Sequence, residues 1–497
     1  MRYTAYMRSR YAAILHILGR SLVVVGAVIV VPIVVVPFGP EGLASLPPYL
    51  LTGIGVSVFG ALLTRFPMQE GEPFTFQEGT VVVVLIWLVT MVASVIPFLM
   101  LLELTFSQAL FESVSGWTST GLTVVDVANA PQSILLFRSL TQYAGAAGVV
   151  IIVMSSLAGP SGIGLTAAEG RGMQLVPNVQ KSAQVVLRLY LAYAAVGIAA
   201  LALAGMPFFE AIIHALSAVA TGGFSTHAES IGFYDSVVIE IIVMVLMLIG
   251  SVSFVTAYAF FKGDENVPKN SELRFSVVIT LLLVAVLFVG ATQPIAPDVG
   301  TALRMAAFEG VSAITTAGFT ISDYSGWVPF GWLVLIVAMI VGGGTESTAG
   351  AIKHLRVLVL LRTVVWEVRR AFLPEKAVNQ PSYMTIDGEE YITDKQVRQI
   401  ALFVVSYGVF LVLGTLAFTA YGYPLNESLF EFTSAIGTTG LSSGITGPEL
   451  PTGLLWVAMA GMFLGRLEIL AILIGLGKIV TDAPVVVLGG DEQRAED

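Results

Sequence analysis

Four stretches rich in glycine, hydroxyls and small residues recur along this chain. They are FESVSGWTSTGL from Phe111, IHALSAVATGGF from Ile213, FEGVSAITTAGF from Phe308 and FEFTSAIGTTGL from Phe430, and they align without gaps. One column is glycine throughout: Gly121, Gly223, Gly318 and Gly440. A hydroxyl stands two residues before each (Ser119, Thr221, Thr316, Thr438), and a serine six before (Ser115, Ser217, Ser312, Ser434). Nine before stands Glu112, His214, Glu309 or Glu431. The chemistry such turns can do is coordination by backbone carbonyls. Glycine reaches the backbone angles that aim successive carbonyls one way, and rings of carbonyls replace the hydration shell of a monovalent cation, as in the four filter loops of potassium channels. The hydroxyl can add a side-chain oxygen or hold the turn to its helix. The three acids are expected near helix starts, where a carboxylate suits the helix dipole. Because His214 replaces the acid in one copy, structural support is the preferred role over direct ion binding.

The elements that must position these turns follow from hydropathy. The 497 residues are 56% hydrophobic and only 12% charged, with a mean hydropathy of +0.86. Apolar runs long enough to cross a bilayer as helices recur: Thr80 to Leu102, Ser133 to Gly159, Leu189 to Met206, Phe275 to Pro297 and Ile400 to Pro424. Val237 to Phe261 and Leu454 to Ile479 span with a few embedded charges, and Tyr11 to Phe38 with Pro47 to Phe66 form an N-terminal pair. No small-residue cleavage site follows Val36, so the first helix is expected to be retained. Each glycine turn lies between two spans, after about a dozen residues of helical character. The glycine separations are 102, 95 and 122, the longest holding the polar insert Glu367 to Gln399. One such stretch could serve helix packing; four in equivalent places argue otherwise. Non-helical backbone at membrane depth is tolerated only where it is buried or lines a cavity, so the turns are expected to meet around one axis. The expected fold is an all-α integral membrane protein with four span, pore-helix, filter, span units around a pseudo-fourfold pore. Its divisions are an N-terminal pair (1–75), units at 76–160, 161–265, 266–371 and 372–485, and an acidic tail (486–497).

Charge orients the chain. With a cytoplasmic N-terminus, the basic loops Pro160 to Arg188, Lys262 to Arg274 and Lys353 to Arg398 share one side, as the positive-inside rule requires. Of the 24 Lys and Arg, only Arg138 and Arg304 fall near the other face, with Arg466 inside a span. That other face collects Asp126, Glu229, Asp235, Asp298, Asp323 and further acids, which would attract cations. The chain has no cysteine, hence no disulfide or thiolate metal site. No metal-ligand cluster or nucleophile-base motif argues for an enzyme, and nothing points to nucleic acid. His227, in FSTHAES, reads as outer-vestibule structure.

The four turns, with GGFSTHAESIGFYDS from Gly222, FRSLTQYAGAAG from Phe137, GGGTESTAGAIK from Gly342 and GRLEI from Gly465, resemble the Trk/Ktr/HKT superfamily of potassium transporters over nearly the whole chain. The N-terminal pair makes TrkH-type subunits the nearest likeness. The resemblance implies that Thr118, Ser119, Thr120 and Gly121 form one filter segment. Ala220, Thr221, Gly222 and Gly223 form the second, Thr315, Thr316, Ala317 and Gly318 the third, and Gly437, Thr438, Thr439 and Gly440 the fourth. Ala220 and Gly437 depart from the threonine lead-in. In some plant relatives serine at the first glycine position accompanies sodium transport, so Gly121 favours potassium.

By the same resemblance, Gly342, Gly343, Gly344, Thr345, Glu346, Ser347, Thr348, Ala349 and Gly350, with Lys353 beyond, form an intramembrane loop that blocks the path below the filter. So many glycines and hydroxyls do not sit in an apolar helix unless part of it unwinds. Glu346 departs from the small residue expected there. Arg466, about midway along the last span, becomes a positive barrier under the filter, or else pairs with Glu468 or another carboxylate. The resemblance also implies a homodimer within membrane lipid and a cytosolic TrkA-type nucleotide-binding regulatory subunit. The rival reading is an ion-coupled secondary transporter of a small solute, built from repeats but typically inverted ones.

Overall fold

Lipid offers no water to backbone groups, so each long apolar run must satisfy its own hydrogen bonds as a helix. The computed structural model describes residues 2–39, 42–68, 74–148, 179–374 and 380–488. The helices Arg2–Val30 and Leu46–Leu63 form an antiparallel pair. Their backbones approach through glycines: a Cβ on Gly60 would lie 2.6 Å from the Gly19 carbonyl oxygen, and one on Gly53 2.8 Å from that of Gly26. Arg10 bonds Glu78 at 2.6 Å and the Tyr11 hydroxyl donates to Asp482 at 2.8 Å. These contacts fasten the pair to the rest of the molecule.

A common order then recurs four times. The entry helices are Phe76–Ala93 continued by Val95–Leu101, then Val179–Leu203, Ser271–Leu287 and Asp394–Ala420. Each is followed by a shorter helix: Phe106–Trp117, Phe208–Val219, Val299–Ile314 and Leu425–Ile436. We call these pore helices 1 to 4. Their starts are written locally. Thr105 and Gln108 cap one another, Asp298 accepts from the Thr301 amide at 3.0 Å, and Pro207 and Pro424 precede the other two, where proline cannot continue a helix backward.

The exit helices depart from the sequence expectation of continuous spans in the first, second and fourth units. Gln132–Ala147 ends at Gly148, φ +83°; the remainder of the expected span, to Gly159, lies outside the described residues. Val237–Ser251 meets Phe254–Phe261 at 106°. Pro329–Val341 is parted from His354–Arg370 by residues 342–353, and Thr452–Arg466 from Ile469–Leu488 by Leu467 and Glu468, the latter at φ +64°. A hydropathy average over about 20 residues cannot register a break of two. Among the described residues, seven helices are long and apolar enough to cross a membrane alone, or eight with the bent pair.

Ile469–Leu488 packs on Phe76–Ala93, so the fourth unit closes against the first. Leu191, Val196, Leu281, Leu402 and Val412 point outward and exposed, as a lipid-facing surface requires. Among the described residues the helical fold has one exception, an antiparallel hairpin of Ser382–Met384 and Glu389–Tyr391 in the polar insert, with Tyr383 opposite Glu390.

Candidate functional site

The backbone of the four turns repeats closely. Ser119, Thr221, Thr316 and Thr438 lie at φ +52°, +48°, +53° and +49°, and Gly121, Gly223, Gly318 and Gly440 at +97°, +77°, +78° and +93°. The residue between each pair has ordinary negative φ. Such alternation of hand turns successive carbonyls to the same side, and a non-glycine residue keeps positive φ only when its surroundings enforce it. The enforcement comes from the pore helix. Thr120, Gly222, Ala317 and Thr439 donate their amides to the carbonyls of Ser115, Ser217, Ser312 and Ser434 at 2.9, 2.9, 2.9 and 2.8 Å. The Ser115 and Ser434 hydroxyls also accept from Gly121 and Gly440 at 3.1 and 2.9 Å.

The turns meet in chain order around a closed ring. A Cβ on Gly121 would lie 3.5 Å from the Gly223 Cα, on Gly223 3.1 Å from that of Gly318, on Gly318 3.0 Å from that of Gly440, and on Gly440 3.1 Å from that of Gly121. Above the ring opens a vestibule of about 710 Å³ onto which all four glycines face, with Arg138, His227, Glu229 and Asp323 in its wall. Hydrogen bonds from the Ser325 hydroxyl and amide, at 2.6 and 2.9 Å, hold the Asp323 carboxyl below its ordinary range.

The acids sit elsewhere than expected. Glu112, Glu309 and Glu431 lie in the middle or second half of their pore helices, not near the starts, so the helix dipole does not explain them. They reach outward to the segment after each glycine. Thr123, Thr320 and Ser442 donate to them at 2.6, 2.8 and 2.9 Å, and His214 Nε2 pairs with the Ser225 hydroxyl at 2.9 Å in the second unit. Glu112 also bonds Arg138 at 3.1 Å, both fully buried, with the guanidinium 3.9 Å over the Phe224 ring.

Residues 342–353 lie directly beneath the ring. The Thr348 hydroxyl bonds the Gly250 carbonyl at 2.8 Å, that of Val219 at 3.1 Å and the Thr221 hydroxyl at 3.2 Å. The Gly350 amide donates to the Thr316 hydroxyl at 2.9 Å, and a Cβ there would lie 2.5 Å from the Gly437 carbonyl oxygen. Gly342, Glu346, Ala351 and Lys353 all have positive φ. Arg466 ends a helix at a break rather than standing midway in an unbroken one. Its guanidinium donates to the Thr348 carbonyl at 3.0 Å and to those of Gly145 and Ala146 at 3.0 and 2.9 Å. Glu468 pairs with Arg356.

Two supporting residues escaped the sequence reading. Gln142 donates to the Gly222 carbonyl at 2.5 Å and accepts from the Phe224 amide at 3.2 Å, bracing the second turn from the first exit helix. Glu272 accepts from the Thr345 amide at 2.6 Å. A polar side chain within an apolar run is the signal that could have found Gln142; Glu272, at a span end, carries none.

The sequence profile of the TrkH family, cation transport proteins, matches residues 49–482. The chain is 30% identical over 491 residues to the Trk system potassium uptake protein TrkH of Vibrio parahaemolyticus, covering 94% of this chain and 98% of that one. It is 30% identical to TrkG, a Trk system potassium uptake protein of Escherichia coli, covering 82% and 86%. An uncharacterized cation transporter of Methanocaldococcus jannaschii is 26% identical, covering 93% and 94%. The crystal structure of the Vibrio parahaemolyticus potassium transporter TrkH matches this fold with a TM-score of 0.82 at 27% identity, covering 93% of this chain and 98% of that one.

Proposed function

The chain belongs to the TrkH family of cation transport proteins, and from that premise we propose that it takes up potassium through a single gated pore. The observation that carries this reading is the closed ring of Gly121, Gly223, Gly318 and Gly440 with alternating backbone hand. A potassium ion passing the ring exchanges water for the carbonyls of Thr118 to Thr120, Ala220 to Gly222, Thr315 to Ala317 and Gly437 to Thr439. The Ser119 and Thr438 hydroxyls, buried with no partner in the protein, supply further oxygens. Residues 342–353 are the gate, and the Arg466 charge raises a barrier beneath the filter, large because little water screens it.

The six divisions of the chain and the cytoplasmic N-terminus belong to the same reading, as do transporter rather than enzyme chemistry, a homodimer and a TrkA-type nucleotide-binding subunit on the basic face. A secondary transporter is disfavoured by four copies in one orientation, where such carriers often use inverted pairs. The test is growth of a strain lacking its own potassium uptake systems, with rubidium flux into vesicles. Rescue and flux are expected; the absence of both overturns the pore.

A further inference from the structure

A carboxylate that does not line the vestibule grips the proposed gate from below. Glu272 is the second residue of the third entry helix and lies within the basic stretch Lys262 to Arg274. Its Oε1 accepts the Thr345 amide at 2.6 Å, near the start of the loop. The Lys353 ammonium and the Leu355 amide, at the far end of the loop, act on the same carboxylate. One side chain therefore bonds the start of the segment that must move and feels the charge at its far end.

Three of the loop's other ties, those to the second unit's bent exit helix, are backbone to backbone and neutral. The Gly344 amide donates to the Ser251 carbonyl at 2.9 Å, the Thr348 amide to that of Gly250 at 3.2 Å, and the Phe254 amide to that of Glu346 at 3.3 Å. A hydrogen bond to an ionised acceptor is roughly twice as strong as a neutral one, so with its carboxylate charged Glu272 ties the loop more firmly than any of these three bonds does. It also comes from a different unit's face than Arg466, whose bond holds the Thr348 carbonyl. The half-buried side chain sits in a small cleft with Ser251, Ser253, Gly344 and His354, away from the four glycines.

We propose that Glu272 is a positioning residue that latches the loop shut, so that opening requires its carboxylate to release the Thr345 amide. This rests on reading residues 342–353 as the gate. Losing a hydrogen bond to a charged group shifts an equilibrium about tenfold or more. The shift falls on the closed state alone if the bond exists only there.

The test is rubidium influx into liposomes holding the purified full chain without any soluble partner, alongside the potassium-to-sodium flux ratio. Three variants are compared: Glu272→Ala, Glu272→Gln, and a control with Thr345 to Ala349 deleted. Glu272→Ala is expected to raise basal influx about tenfold with the ion ratio unchanged. Glu272→Gln keeps an oxygen for the amide without the charge, and is expected to raise influx only a few-fold. If Glu272→Ala stays at the wild-type rate while the shortened loop leaks, the latch is wrong and the gate stands. If the shortened loop also stays tight, the gate reading itself has failed. A rise accompanied by lost ion discrimination overturns the latch too, because it means a collapsed filter. Should Glu272→Ala not elute as folded protein, Glu272→Gln decides: a few-fold rise supports the latch, and the wild-type rate overturns it.

Discussion

The Gly350 amide donates to the Thr316 hydroxyl at 2.9 Å, so a loop residue is bonded to the same residue whose left-handed backbone shapes the third filter turn. The turn and the loop beneath it are thus joined directly by one hydrogen bond. Thr316→Val keeps the side-chain shape and removes the acceptor, leaving a buried donor unpaired at a cost of about 1–3 kcal/mol. Basal rubidium flux is expected to rise about tenfold, and Thr316→Ser, which keeps the oxygen, to restore the wild-type rate. Equal flux in both variants would show that the bond does not hold the loop.

Gly121 stands at φ +97° with the Gly222 carbonyl carbon 3.2 Å from where a Cβ would be. Gly121→Ser strains its own backbone and pushes the neighbouring turn's carbonyl out of the ring. The potassium-to-sodium flux ratio is expected to fall while membrane insertion persists, because the pore helices and spans are untouched. An unchanged ratio would place the filter elsewhere.

The glycine column and its spacing were legible because they are local and repeated. The acids were misread because their partners lie eleven residues on: Glu112 with Thr123, His214 with Ser225, Glu309 with Thr320, Glu431 with Ser442. That hydroxyl column, two residues after each glycine, stands in the sequence as plainly as the glycines do. The exit-helix breaks at Val252 and at Leu467 and Glu468 left only short traces, Gly250, Ser251 and Ser253 around one and Gly465, Arg466 and Glu468 around the other, too brief to interrupt a hydropathy average. Contacts such as Gln142 with Gly222 join residues of different units, and no period in the chain encodes them.

Glu112 and Arg138 are a fully buried pair. Glu112→Ala leaves a guanidinium without its carboxylate, a change that typically costs about 3–5 kcal/mol, and also takes the acceptor from the Thr123 hydroxyl and the Val124 amide. The melting temperature in detergent is expected to drop far more than for Glu431→Ala, whose side chain bonds hydroxyls and amides rather than a cation. Equal drops would mean that the pair adds nothing beyond bracing the segment.

Asp323 lies in the vestibule wall with its carboxyl held below the ordinary range by the Ser325 hydroxyl and amide. A lowered carboxyl pKa means the charge, and the small stabilisation tied to it, is present above the ordinary carboxylate range and is lost only as pH falls through the lower native value. Potassium conductance from the vestibule side is therefore expected to hold from neutrality down through the ordinary range. Ser325→Ala removes the hydroxyl bond, so loss of conductance should begin at higher pH. Single-channel recordings across a pH series with both proteins check this; superimposable profiles would remove Asp323 from the account.

Arg466 holds the Thr348 carbonyl from below, and Glu346 stands two residues earlier in the same loop. Arg466→Gln removes a positive charge from the path, and cation flux is expected to rise about tenfold, the change that about 1.4 kcal/mol of barrier would give. If Glu346 partly neutralises that charge, Glu346→Gln alone makes the barrier higher and lowers flux. With Arg466 already replaced, the same substitution has no positive charge left to expose, so its effect should shrink. The double variant is then expected to conduct nearly as well as Arg466→Gln. Strictly additive logarithms of the flux changes would mean that the two groups act separately, since only groups in direct contact or in one network couple measurably.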